Sequence, residues 1–237
     1  MTLLQKAGIL ALVLPLFANA EEKIDVDKLQ EKYWAQGKEA EMGVVQNRRY
    51  SKANRFDLGF QSGILSSDPF LSTHASGLTL GYSFTETWGV RSIAWKAIAA
   101  GSSARRALEQ TGKKASTNEP EGYAGAEAVF SPIYGKLSVL GKSIIHYDFH
   151  LLGGIGVTFL ENPSYPSGLT GHAGVGQQMF LSRNLAMQVD YRMMVYREHL
   201  REKEIPSRLG EDLGARTNFT HAITLGVNWF FGGPKGE

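Results

Sequence analysis

Three side chains that bind metals or move protons stand at alternate positions in His146-x-Asp148-x-His150. Alternate positions share one face of a β-strand, and His172 falls on the polar face of the next alternating segment. Imidazoles beside a carboxylate are zinc-ligand chemistry. Same-face neighbours on a strand lie ~6.6 Å apart, too wide for three of them to share one ion. A polar network explains these residues more simply, so neither a metal nor a cofactor is expected. His74 lies close in sequence to Ser72 and Ser76, as a serine nucleophile and its base would. No third, orienting group is identifiable, so no catalytic residue is assigned. Gly153-Gly154-x-Gly156 has the glycines of a phosphate loop, but no helix follows it. Glycines inside a strand relieve crowding instead.

The elements that would position these residues read as strands. The chain has 237 residues with 25 Lys+Arg against 23 Asp+Glu. That balance excludes the concentrated basic face of a nucleic-acid-binding protein. Twenty-seven glycines and 11% aromatics suit many short strands. The absence of cysteine excludes disulfides, thiolate metal sites and a cysteine nucleophile.

Residues 1–20 read as a secretory signal. Lys6 precedes eleven apolar residues, Ala7–Phe17, and Ala18-Asn19-Ala20 is a small-x-small cleavage site before Glu21. Cleavage after Ala20 leaves 24 basic against 23 acidic residues. The apolar stretch is shorter than the ~20 residues of a membrane-spanning helix. Residues 21–53 are polar, and the spacing of Ile24, Val26, Leu29, Tyr33 and Trp34 predicts a short amphipathic helix before Gly37.

From Asn54 the apolar period is two. Eight alternating segments follow, from Phe56-x-Leu58-x-Phe60 to the segment Phe219–Phe231. The fourth is read as Tyr123–Phe130, with Ser131–Ser143 as a connection containing Pro132, Gly135 and Gly141. The third is ambiguous, because Arg91 and Lys96 fall on opposite faces. Connections after the second and sixth segments are short; those after the first, third, fifth and seventh read as longer and more polar, and the one after the fourth breaks the rule. An even strand number with short turns at one end and long loops at the other is an outer-membrane barrel pattern.

A soluble barrel alternates too, with its apolar face inside. On such a barrel the polar face is wet and rich in Lys and Glu. Of thirteen lysines, only Lys96 falls inside the eight segments as read. The polar faces carry Gly, Thr, Gln and Asn with a few charges of both signs. Arg55, Asp57, Glu127, His146, Asp148, His150, His172, Asp190 and Arg192 are therefore expected as a polar network in a narrow lumen. Eight strands close an interior that side chains about fill. Outward aromatics such as Phe56, Phe84, Trp88, Phe159 and Phe219 suit interfacial girdles.

The last segment places Thr224, Gly226, Trp229 and Phe231 at the spacing of the C-terminal signal read by barrel-assembly machinery, although six residues follow Phe231. The whole stretch after residue 20 resembles a family of small outer-membrane β-barrel proteins of myxobacteria and Bdellovibrio-like predators. The charged preface, Phe56–Gly59, Pro132-Ile133-Tyr134-Gly135-Lys136 and His146–Gly156 carry the resemblance. It implies fold and location and brings no catalytic residues. Some small barrels of this sort are thought to oligomerise or to serve envelope machines, including gliding complexes.

The expectation is thus an all-β, eight-stranded antiparallel transmembrane β-barrel over 54–231, with a short N-terminal periplasmic helix in 21–53 and a periplasmic tail, 232–237. Its expected role is non-enzymatic: structural, envelope-organising or interactive. A porin or channel subunit acting as an oligomer is the alternative, ahead of a lipid-modifying enzyme. Expected partners are outer-membrane lipids and lipopolysaccharide, the barrel-assembly machinery and further copies of the chain, with no nucleic acid. Arg105-Arg106 and Lys113-Lys114 read as solvated loop charge, with lipopolysaccharide phosphates as the alternative contact.

Overall fold

Alternation with period two sends successive side chains to opposite faces, and a sheet with one polar and one apolar face can satisfy all its backbone groups by closing on itself. The computed structural model, which describes residues 50–139, 143–203 and 205–232, shows that closure. The strands are β1 (Arg55–Ser66), β2 (Leu71–Ser83), β3 (Trp88–Gly101), β4 (Pro120–Val139), β5 (Ser143–Leu160), β6 (Ser167–Phe180), β7 (Leu185–Arg201) and β8 (Asp212–Phe231). They form a closed barrel in chain order. The ring is shut by antiparallel pairing of β1 with β8, from Phe56↔Phe231 to Ser66↔His221. One short helix, α1 (Ser103–Gln110), lies between β3 and β4. The leader, the helix expected in 21–53 and the tail from 233 lie outside the described residues.

The turns at 84–87 and 181–184 share one chemistry. Between β2 and β3, Thr85 Oγ1 accepts hydrogen bonds from the Thr87 and Trp88 amides at 3.2 and 2.9 Å. Between β6 and β7, Ser182 Oγ accepts from the Asn184 and Leu185 amides at 3.3 and 3.1 Å. A hydroxyl oxygen that stands in for a backbone carbonyl acceptor in this way makes a tight reversal cheap.

Two sequence expectations are corrected. Ser131–Ser143 is not a connection: β4 runs through Pro132 and Gly135 to Val139, and only 140–142 separate it from β5. Proline and glycine read as breakers, but here they mark a slip in the alternation. Ser131 and Tyr134, three apart, are both buried, with Pro132 and Ile133 exposed between them. Proline is tolerated at such a bulge. The connection after β1 is also shorter than read, only 67–70, because β2 starts at Leu71. Connections 84–87, 140–142 and 181–184 are short at one end; at the other, 102–119, 161–166 and 202–211 are longer and 67–70 is as short as the turns.

Outward residues are mainly apolar. Phe56, Leu58 and Phe60 on β1 and Ile223, Leu225, Val227, Trp229 and Phe231 on β8 are exposed, and so are Ile155 on β5 and Leu169 on β6, at 69% and 78%. Inward residues of the same strands are polar and buried. Near the loop end an apolar layer, Leu65, Ile93, Trp95, Tyr123 and Met194 among others, fills the lumen.

Candidate functional site: the polar lumen

Arg192 on β7 sits at the centre, about 1% exposed. Its guanidinium grips Glu127 of β4 with two parallel bonds, Nε to Oε2 at 3.1 Å and Nη2 to Oε1 at 3.0 Å. Nη2 also donates to Asp190 Oδ2 at 2.8 Å, and Nη1 donates to Thr224 of β8 at 3.2 Å. Arg91 of β3 lies 3.4 Å from Glu127 and 3.5 Å from Asp190. Two guanidinium groups thus balance two carboxylates.

Two of the three buried lumen histidines are held against this core. His172 Nε2 donates to Glu127 at 3.0 Å, and the Tyr123 hydroxyl donates to its Nδ1 at 2.8 Å. That pair of partners fits the tautomer with its proton on Nε2. His150 Nε2 meets Asp190 Oδ1 at 2.9 Å. Gln188 donates to the second Asp190 oxygen, and Asn228 donates to Gln188 at 2.5 Å. Gly176 leaves the room for this: a Cβ there would collide with Asp190 and His150 side-chain atoms.

A second cluster closes the short-turn end. Lys52, ahead of β1, reaches inward to Asp148 Oδ2 and Ser131 Oγ, each at 2.7 Å. Tyr134 is hydrogen-bonded to His146 at 2.5 Å, and Tyr50 stands edge-on to the same imidazole at 5.0 Å. Arg55 donates to the carbonyls of Arg183 and Phe230 at 2.8 and 3.1 Å. Asp57 is buried opposite Gly81. At the loop end Arg216 bridges Glu198 and Asp68 at 2.6 and 2.8 Å.

The nine residues expected in the lumen are all buried within the barrel, but in two groups. Glu127, His150, His172, Asp190 and Arg192 form the central group. Arg55, Asp57, His146 and Asp148 lie towards the short-turn end. His146, Asp148 and His150 do not converge on one point, and no metal-ligating group is found among the described residues. Sequence reasoning placed Gln188 on the polar face with Asp190 and Arg192 and missed Lys52 and Tyr123. Lys52 stands in a charged run before the alternation starts, where nothing marks it as buried. Tyr123 has the inward period, but it carries no charge that would mark it as part of a polar network.

The lumen is filled. The space beside Lys52, Asp57 and Arg91 measures about 20 Å³, and that beside Trp95, Tyr123 and Tyr196 about 10 Å³. Each is room for roughly one water. Larger hollows lie towards the loop end: one of about 500 Å³ is lined by Asn118, Asn162, His199, Arg201 and Lys203 among others, and one of about 460 Å³ by Tyr165, Leu169, Arg197 and Ala215 among others.

The expected C-terminal signal divides by face. Thr224 and Gly226 are buried inside; Trp229 and Phe231 are exposed outside. On α1, Arg105 is bound by Glu109 and Glu119, each at 3.1 Å. The Glu109 hydrogen bond is the first cause that raises its pKa above the ordinary guanidinium value. These two carboxylates occupy Arg105 and leave Arg106, Lys113 and Lys114 as the exposed loop cations of that region.

No family model and no curated protein matches the chain. Among solved structures it is similar to Neisserial surface protein A, with 11% identity over 76% of this chain and 98% of that one, at a TM-score of 0.39. It is similar to the outer membrane protein OprG of Pseudomonas aeruginosa (12% identity, 78% and 99% covered, TM-score 0.36). It is also similar to Ail, the attachment invasion locus protein of Yersinia pestis (14%, 75% and 97%, 0.35).

Proposed function

We propose that the protein is an integral outer-membrane barrel with a closed lumen, acting as a structural or interaction element of the cell envelope rather than as a pore or an enzyme. One observation carries this reading: an apolar outer wall surrounds a lumen packed with paired charges. A barrel in water would have the opposite arrangement. In lipid every backbone group must be satisfied within the protein, and a closed sheet does so without edges.

In this reading the chain is exported by the leader, cut after Ala20 and inserted by assembly machinery that reads Thr224, Gly226, Trp229 and Phe231. The longer loops face the outside of the cell. Arg192, Glu127, Asp190 and the aromatic layer above them fix the cross-section of the barrel and block the path an ion would take. A channel made by several copies would need the path to run between barrels.

Single-channel recording of the purified protein in a planar bilayer tests the closed lumen. The expected trace is silent. A steady, size-selective current would overturn the structural reading in favour of a porin. Membrane extraction tests the location: the protein should stay with the membranes without detergent and release with it.

A further inference from the structure

The outer wall carries a polar row where β1, β2 and β3 lie side by side. Ser62 of β1 pairs with Ser76 of β2, and Ser76 pairs with Lys96 of β3. His74, the next outward position on β2, joins them. Ser62 Oγ lies 2.9 Å from His74 Nε2 and 2.7 Å from Ser76 Oγ, and Ser76 Oγ lies 3.4 Å from the same His74 nitrogen. His74 and Lys96 are exposed. The outward residues around them, Phe60, Ile64, Leu78 and Ile98, are apolar and exposed. Among the described residues no carboxylate lies within ion-pair distance of Lys96 or His74.

An unpaired ammonium facing hydrocarbon costs free energy that falls towards the membrane surface. Lys96 stands eight residues along β3 from Trp88 at the short-turn end. At ~3.4 Å per residue and a tilt of ~40°, that is ~21 Å up a band ~25 Å tall. The row therefore lies at the loop-side edge of the apolar band, and the flexible lysine stem lets its head reach the interface. Lipid headgroups sit at that level. The row offers three ammonium donors, two hydroxyls and an imidazole with no acidic side chain among them, which is complementary to a phosphate.

We propose that Ser62, His74, Ser76 and Lys96 form a binding site for the phosphate of a phosphorylated glycolipid in the outer leaflet. The site rests on the outer-membrane reading above. It places the lipid contact on the wall rather than on Arg105, whose charge is already met by Glu109 and Glu119. Ser62 and His74 also have the spacing of a nucleophile and its base, but no third group orients the imidazole, so binding is the chemistry assigned.

The test compares wild type with the double variant Lys96→Ala/His74→Ala and with Lys96→Gln. Each is purified in detergent and titrated with bis-phosphorylated lipid A, dephosphorylated lipid A or phosphatidylglycerol, and bound lipid is counted by native mass spectrometry. Only protein with the faster gel migration of an unboiled, folded barrel is used. Loss of about tenfold in lipid A retention is expected for the double variant, the scale of one charge-assisted hydrogen bond. Lys96→Gln should show a smaller loss. Dephosphorylated lipid A should bind all three proteins equally. Equal retention of lipid A by wild type and the double variant would overturn the site. So would the same variant-dependent loss with phosphatidylglycerol, or release of an acyl chain that Ser62→Ala abolishes. A wild-type protein found free in the periplasmic fraction would overturn the outer-membrane reading itself, a result separate from any change in lipid retention.

Discussion

Two cations five positions apart on β3 meet opposite surroundings. Arg91 points into the barrel, where Glu127 and Asp190 face it from β4 and β7 at 3.4 and 3.5 Å. Lys96 points outward, with Ser76 and Gly122 as its register partners and no carboxylate of the described residues in reach. The odd spacing puts them on opposite faces of the sheet. The inner charge is one part of a balanced network: removing any member leaves a buried charge imbalance, which is costly. The outer charge has nothing to satisfy inside the protein. The comparison teaches that buried polarity here holds the barrel's cross-section, whereas outward polarity serves something outside the chain.

The strongest way to break this contrast is Arg192→Ala. It leaves Glu127 and Asp190 facing one another with only Arg91 between them. A loss of about 3–5 kcal/mol is expected, read as the urea midpoint of folded barrel in micelles. A loss under about 1 kcal/mol would mean that the network does not hold the barrel. Gly176→Val is next, because its new side chain enters the space of Asp190 and His150. Overpacking of this kind costs about 1–3 kcal/mol, and Gly171→Val on the outward face, where a Cβ meets nothing within 4 Å, is the control.

Lys52→Met removes the head that bonds Asp148 and Ser131. About 1–3 kcal/mol should be lost, and limited proteolysis should then cut near residue 50 sooner than in the wild type. Unchanged protection would place the anchoring of this segment elsewhere. The smallest effect sharpens the comparison from the other side. Lys96→Leu should leave stability the same or raise it by up to about 1 kcal/mol, as for a cation withdrawn from the lipid face near an interface. A clear destabilisation would show that Lys96 belongs to the structural charges after all.

Much of the wall was legible without coordinates. Phe56, Leu58 and Phe60, or Leu185 to Val195 at every second position, state their face through period alone. The same period assigns Asp190 and Arg192 to the inside. What period does not convey is partnership. Asp190 meets His150 from β5, and Arg192 meets Glu127 from β4, across the lumen rather than along a strand. Such pairs depend on how strands stagger around the ring. The slip at Pro132 and Ile133 was illegible for a related reason: residues that end a strand in one context form a bulge in another, and the neighbouring strands decide which. Lys52 was illegible because its burial comes from a chain segment folding back into the mouth of the barrel.

The sequence by itself therefore determined the eight strands, the sorting of polar from apolar side chains and the charges that would need company, because these follow from local chemistry and a repeat of two. Only the tertiary structure decided which charge answers which, that the lumen is packed to about the volume of single waters at the two spaces described, and that Ser62, His74, Ser76 and Lys96 share one outward row. Closure of β1 onto β8 brings residues far apart in the chain within a few ångströms, and no local pattern carries that distance.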